Sequence, residues 1–351
     1  MSMVVCIYED RDKNLIGVKL TVLSLARHCP TLPIIIICPQ PPATFRHWAE
    51  SLPNVKLISD ENLGVSGWNV KPTILLHRLR EGYTEVVWID SDIIINNDFR
   101  QHFENLDEHT LLTTQDNYWG QYQGGTHRTV TWGLTPGRTF STTINTGILR
   151  VTPQHIDMLK EWQKMLNDPG YMEAQRQPLY NRPLHMLGDQ EVLTALLGSV
   201  EFSHVPVKML KRGIDIAQCF GPAGYTPTER LQSLITGKGL PPFIHSMGYK
   251  PWQMTPSAAA IDNSNDSFKK RLRTYYSHLH LQLSPYTSIA REYRKEIEED
   301  APWMDVKSLT GRLFEILSNS HPILQGFPLA LFDAGVRHVR RFLGIARYRL
   351  N

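Results

Sequence analysis

In the first part of the chain, short apolar runs alternate with stripes at helical spacing. Val4 to Tyr8 reads as a strand, and Leu15, Val18, Val22 and Leu25 then recur at helical intervals until a helix must stop before Pro30. Ile34 to Cys38 is a β-branched run bounded by prolines, Phe45 and Trp48 mark a short helix, and Val55 to Ile58 gives a third strand. Ile74, Leu75 and Leu79 predict a further helix, which leads into Glu85-Val86-Val87-Trp88-Ile89. Strand and helix alternating in this way predict a mainly parallel sheet covered on both faces, with ligands bound at the carboxyl ends of its strands.

That last run ends in Asp90-Ser91-Asp92. If the strand stays extended, residues i and i+2 point to one side, so the two carboxylates can share a hard divalent cation that removes their mutual repulsion. The same residues also read as a strand followed by an Asx-rich turn.

Farther along, Asn117 to Phe140 lacks periodicity and mixes aromatics with glycine, which predicts a loop over a ligand. Thr143 to Leu149 returns to the sheet, and Ile156, Leu159, Trp162 and Leu166 form a helical stripe. Pro169 to Pro183 reads as a polar linker or second excursion. Val192, Leu193, Leu196 and Leu197 mark a helix beginning near Asp189, which puts Asp189 and Glu191 in a first turn where the helix dipole favours them. From Ser264 onward the pattern is helical and charged, without clear strands.

Composition narrows the class. The 351 residues, 41% apolar and 20% charged, suit a globular protein with one large domain plus an appendage, or with two domains, and exclude disorder throughout. A net charge of +3 is too small to imply nucleic acid as a partner. Cys6, Cys29, Cys38 and Cys219 show no zinc spacing and read as buried free thiols of a reducing compartment. The sequence begins without a signal-peptide pattern, and its longest apolar run near the start, Ile34 to Cys38, is far short of the ~20 residues that cross a bilayer. The expected location is cytoplasmic, with any membrane contact peripheral. Such contact is suggested by Phe332, Val336, Val339, Leu343, Ala346 and Leu350, one continuous helical stripe. Arg337, Arg340, Arg341, Arg347 and Arg349 accompany it with no acid after Asp333, as in a helix lying on an anionic membrane surface. The competing reading packs that stripe on the rest of the protein and leaves the arginines solvated.

Three further pieces stand beside Asp90-Ser91-Asp92: Asn145-Thr146-Gly147, Gly188-Asp189-Gln190-Glu191, and His245-Ser246-Met247-Gly248-Tyr249-Lys250-Pro251-Trp252. Each alone has an ordinary explanation as a turn, a cap or a core histidine. As a set and in this order they resemble the metal-dependent glycosyltransferases of the GT-A fold, most closely the retaining glycosyltransferase family 8. The resemblance covers about residues 1 to 255. It implies a Rossmann-like α/β domain over 1–260 with a helical C-terminal extension over 261–351. It further implies transfer of a hexose from a nucleotide-diphosphate sugar, UDP-linked as is usual in that family, to an acceptor hydroxyl. By this likeness Asp90, Asp92 and His245 would hold Mn2+ or Mg2+, with Ser91 between the carboxylates on the donor. Asn145 and Gly147 would line the sugar pocket, and Gly248 and Lys250 would contact the diphosphate. Gln190 would lie beneath the anomeric carbon, with Asp189 on the sugar hydroxyls. Tyr8 or Glu9 would fall near the base and Lys71 near the donor. Only Tyr249 separates Gly248 from Lys250, where the family usually has two residues. A protein that binds the donor without turnover, or an inverting GT-A enzyme of another family, would share most of these features.

Overall fold

A computed structural model of the chain describes residues 3–116, 125–219, 224–248, 250–253, 268–297, 301–305, 308–318 and 321–343. Among them the strands are β1 (Met3–Tyr8), β2 (Ile34–Ile37), β3 (Val55–Ile58), β4 (Glu85–Ile89), β5 (Ile93–Ile95), β6 (Leu111–Asp116), β7 (Thr143–Val151), β8 (Val207–Leu210), β9 (Ile216–Gln218) and β10 (Phe243–His245). By contacts the chain separates into two compact units: one holds residues up to Val18 with Leu25–Ser91 and Phe99–Arg212, the other Lys19–Ser24, Asp92–Asp98 and the chain from Gly213 on. The boundary expected at 260/261 falls among residues outside those described.

The first unit is built on a seven-stranded sheet in the order β3-β2-β1-β4-β7-β6-β8. Strands β1 to β4 are mutually parallel, β7 runs antiparallel between β4 and β6, and β8 lies parallel to β6. The runs in β1, β2 and β4 are buried almost throughout, as expected of strands covered on both faces. One core joins Cys6, Ile35 and Trp88 of the sheet to Ile74, Leu159, Trp162 and Leu196 of the helices Lys71–Arg80, Ile156–Leu166 and Asp189–Leu197. Because β7 is antiparallel, its first residues meet the carboxyl ends of β4 and β6. Tyr8, Asp90, Asp116 and Asn145 are therefore delivered to the same edge of the sheet.

Three expectations change. The central strand stops at Ile89 and Ser91-Asp92 form a turn, so the two aspartates are placed by a bend and not by the alternation of an extended strand. Pro169–Arg176 is a helix where a linker was expected. Asp168 caps it by accepting from Gly170 N (2.8 Å) and Tyr171 N (3.2 Å), and Pro169 suits a first turn that needs no N–H. Within the stretch read as a loop, His127–Thr131 is a short helix, while 117–124 lie outside the described residues.

The second unit holds a small sheet, β5-β10-β9, with β10 antiparallel to β5 and parallel to β9. Each strand has three residues, too few for a period to declare itself. Helices Phe268–Gln282, Pro285–Ala290, Leu309–Leu317 and Phe327–Phe342 follow, as the charged periodic pattern predicts. All four cysteines are buried thiols outside any disulfide.

Candidate active site

In the first unit the site grows around a buried lysine. Lys71 opens its helix directly after Val70, and its Nζ lies 3.1 Å from Asp90 Oδ1 and 3.3 Å from Asp189 Oδ2. It also donates to Thr146 Oγ1 (2.9 Å) and to the Thr146 carbonyl (3.1 Å). Burial opposes the ammonium, but the carboxylates of Asp189 and Asp90 outweigh it and hold the Lys71 pKa above its ordinary value. Burial pushes the Asp189 carboxyl up, against the pull of Lys71 and a 2.6 Å hydrogen bond from Thr146 Oγ1. Asp90 is fixed on two more sides: its N–H donates to the Gly147 carbonyl (2.8 Å), and its Oδ1 accepts from Trp88 Nε1 (2.7 Å).

A second network runs through Gln190. Its Nε2 donates to Asp116 Oδ2 at 2.7 Å, and its Oε1 accepts from Asn145 Nδ2 at 3.1 Å. Asn145 Oδ1 in turn accepts from Gly147 N (3.0 Å). The amide thus has one defined orientation, nitrogen toward Asp116 and oxygen toward Asn145. Behind it Glu191 is fully buried and pairs with Arg128, itself 2% exposed. Burial raises the Glu191 pKa to about 7 even with Arg128 pulling it down.

At the end of β1, the buried Glu9 accepts from Ser91 Oγ (2.8 Å) and from Arg11 Nε (2.7 Å), which ties the turn at Ser91 to the neighbouring strand. Tyr8 donates from its hydroxyl to Asp10 Oδ2 (3.0 Å), which also accepts from Gly67 N (3.0 Å). Burial and Asp10 raise the Tyr8 pKa, so the phenol stays neutral. These residues border a cavity of about 640 Å³ whose wall includes Tyr8, Asp10, Gln40, Asn62, Ser66 and Asn69. Its size and mixed lining suit a planar, polar ligand group.

In the second unit the register of β5 against β10 pairs Ile93 with His245, which brings the preceding Asp92 to the imidazole. His245 Nε2 lies 3.2 Å from Asp92 Oδ1, an oxygen that is buried and accepts no hydrogen bond. Lys250 forms an ion pair with the other carboxylate oxygen and donates to the Ser246 carbonyl at 2.7 Å. Gly248 has φ +71°, a left-handed conformation that favours glycine between these two groups. Tyr249 lies outside the described residues.

Of the residues expected from sequence, Tyr8, Lys71, Asp90, Ser91, Asn145, Gly147, Asp189 and Gln190 fall in the first unit, and Asp92, His245, Gly248 and Lys250 in the second. Asp116 and Arg128 were missed. Asp116 ends a β-prone run, Leu111 to Gln115, much as Asp90 ends its own, and that was the available signal.

Residues 66–218 match the family model of the nucleotide-diphospho-sugar transferases. No curated protein matches the sequence. Among solved structures, the apo WbbM bifunctional glycosyltransferase is similar at 15% identity and TM-score 0.47, covering 72% of this chain and 47% of that one. This chain thus spans about half of that protein. The galactosyltransferase LgtC, solved with donor and acceptor sugar analogues, gives 16% identity and TM-score 0.44 over 72% of this chain and 89% of its own. Mouse xyloside xylosyltransferase 1 gives 12% identity and TM-score 0.42 over 70% and 98%. The family match lies across β4, β6, β7 and β8 and the helices that carry Lys71 and Gln190, so that part of the chain is similar to the nucleotide-diphospho-sugar transferases.

Proposed function

We propose that the protein transfers a hexose from a nucleotide-diphosphate sugar, a UDP-sugar, to an acceptor hydroxyl with retention of anomeric configuration, using Mn2+ or Mg2+. The observation that carries the reading is the Asp92 carboxylate beside the His245 imidazole in the second unit, with Asp90 two residues earlier in sequence: carboxylates and an imidazole are donors suited to a divalent metal. The buried Asp92 oxygen without a hydrogen bond fits this role, since such a group is costly unless something positive meets it. Oxygen donors with a single imidazole favour Mn2+ or Mg2+ over thiophilic metals. When bound, the metal supplies Lewis-acid stabilisation of the departing diphosphate.

The chain's own residues supply the rest. Lys250 adds a positive charge beside Asp92 for the leaving phosphates, and Gly248 lets the backbone approach them. Tyr8 and Asp10 offer a ring and a carboxylate to the base, and Ser91 positions the turn that carries the metal ligands. Asn145, Gly147 and Asp189 surround the sugar, and Lys71 holds Asp90 and Asp189 at fixed separation. Gln190 presents a neutral amide, which stabilises an oxocarbenium-like centre better than it accepts a proton. Retention is favoured because the two carboxylates that flank Gln190 in sequence are committed elsewhere: Glu191 to Arg128, and Asp189 to Lys71 and Thr146. The acceptor then attacks on the face the diphosphate leaves, its proton passing to a phosphate oxygen.

The test is calorimetry of UDP and Mn2+ binding to Asp92→Asn, which keeps the side-chain shape and removes the charge. Metal-dependent binding collapses on this reading; unchanged affinity removes the metal assignment. Proton NMR of the product from an α-linked donor tests the stereochemistry, and a β-linkage excludes retention.

A further inference from the structure

The helix Leu309–Leu317 is apolar on the side facing away from the protein. Leu309, Leu313, Ile316 and Leu317, at positions i, i+4, i+7 and i+8, form one face and are 85%, 53%, 75% and 72% exposed. The opposite face supplies the packing: Gly311 and Ser318 are buried, and Phe314 packs against Leu279, Leu283 and Leu329. Phe327–Phe342 repeats the arrangement. Its Leu329, Ala330 and Asp333 are buried, with Asp333 accepting from Tyr276 Oη at 2.6 Å and lying 2.9 Å from His280 Nε2. Phe332, Val339 and Phe342 are exposed, as is Leu343 just beyond, so these positions of the stripe anticipated in the sequence are open to solvent, while Ala346 and Leu350 lie outside the described residues.

Charge separates the candidate occupants of such a surface. The basic residues Arg312, Arg337 and Arg340 belong to these two helices, whose only acids are Glu315 and Asp333. Both acids are engaged within the unit, Glu315 by Arg291 Nη1 (3.0 Å) and Gln325 Nε2 (3.2 Å), and Asp333 as above. A second copy would meet this surface with charge of the same sign. An anionic lipid surface offers phosphates to the arginines and an acyl boundary to the leucines and phenylalanines. No helix among the described residues is long and apolar enough to cross a membrane, so the helices would lie in the interface.

We propose that helices Leu309–Leu317 and Phe327–Phe342 together form a face that docks the protein on an anionic membrane, with the first helix inserting as much as the second. This goes beyond the proposed transfer reaction and is tested without it. The full chain is sedimented with vesicles of phosphatidylglycerol and phosphatidylcholine, and with phosphatidylcholine alone. The native protein binds the anionic vesicles, and binding falls as salt rises. The double substitution Leu309→Asp/Ile316→Asp weakens it by at least about tenfold, as does Phe332→Asp/Phe342→Asp, since each removes buried apolar surface and adds a repelled charge. Circular dichroism melting monitors folding of both variants. As a second readout, an environment-sensitive dye on Leu309→Cys shifts to the blue on anionic vesicles, with the four native cysteines buried. Absence of anionic-vesicle binding by the native chain at low salt overturns the proposal. So does native-like binding by the Leu309/Ile316 variant, or a native dimer in sedimentation velocity that both variants abolish.

Discussion

Gln190 is a flexible side chain held by fixed neighbours, and its chemistry depends on them. With Asp116 on its nitrogen and Asn145 on its oxygen, the amide is prevented from flipping its dipole. Gln190→Ala is expected to lower kcat by far more than it raises KM for the donor, because the amide acts on transition-state charge. Asp116→Asn is expected to lower kcat as well, because a neutral amide no longer dictates which end of Gln190 faces it. Steady-state kinetics of both variants check this, and equal changes in KM with unaltered kcat would assign both residues to donor binding. Behind this pair, Arg128→Met leaves Glu191 buried without its partner and is expected to cost about 3–5 kcal/mol by urea denaturation. Glu191 also leaves a pH signature. Its folded pKa, about 7, exceeds the unfolded value, so its stability contribution is complete below the ordinary carboxylate range and is lost as pH rises through about 7. A melting-temperature profile of the native protein against Glu191→Gln checks this: the decline across that window is expected only in the native chain. Asp189 and Gln190 could be found by their motif, whereas Asp116 reaches Gln190, and Arg128 reaches Glu191, from a strand and a helix distant in sequence.

Elements were legible in proportion to their length and periodicity. The four parallel strands β1 to β4 and the helices between them carry short apolar runs or helical stripes with breakers at their ends, and they formed where the pattern put them. The helix Pro169–Arg176 escaped because it buries only Tyr171 and Ala174, leaving almost no apolar stripe to read. Connections can matter as much as elements. Gly326 joins the last two segments at φ +78°, and a Cβ there would stand 2.6 Å from the Leu283 carbonyl oxygen. Arg230, buried, donates from Nη1 to the carbonyls of Ile323 and Gln325 just before it. Gly326→Ala is therefore expected to destabilise the protein by more than ~1 kcal/mol, read as a lowered urea midpoint.

At the scale of the whole molecule, a bound ligand reports on the site as a unit. Mn2+ with UDP is expected to raise the melting temperature of the native protein, with a gain of ~2.7 kcal/mol at a hundredfold excess over Kd, and to leave Asp92→Asn unmoved. A chelator should return the native protein to its unliganded melting point. The sequence by itself determined the sheet's first four strands, the Asp90-Ser91-Asp92 stretch at the carboxyl end of one of them, and the apolar, arginine-rich stripe of the C-terminal helix. These are local properties, set by side-chain period, chain breakers and covalent spacing. Only the tertiary structure decided that a turn presents Asp92, that β5 against β10 sets His245 beside it, and that Lys71 is spent on Asp90 and Asp189. It also left Phe332, Val339 and Phe342 of the helix Phe327–Phe342 open to solvent, together with a second apolar face on Leu309–Leu317. Those outcomes depend on strand register and on which side of each element finds a partner, and such long-range pairings leave no period in the chain.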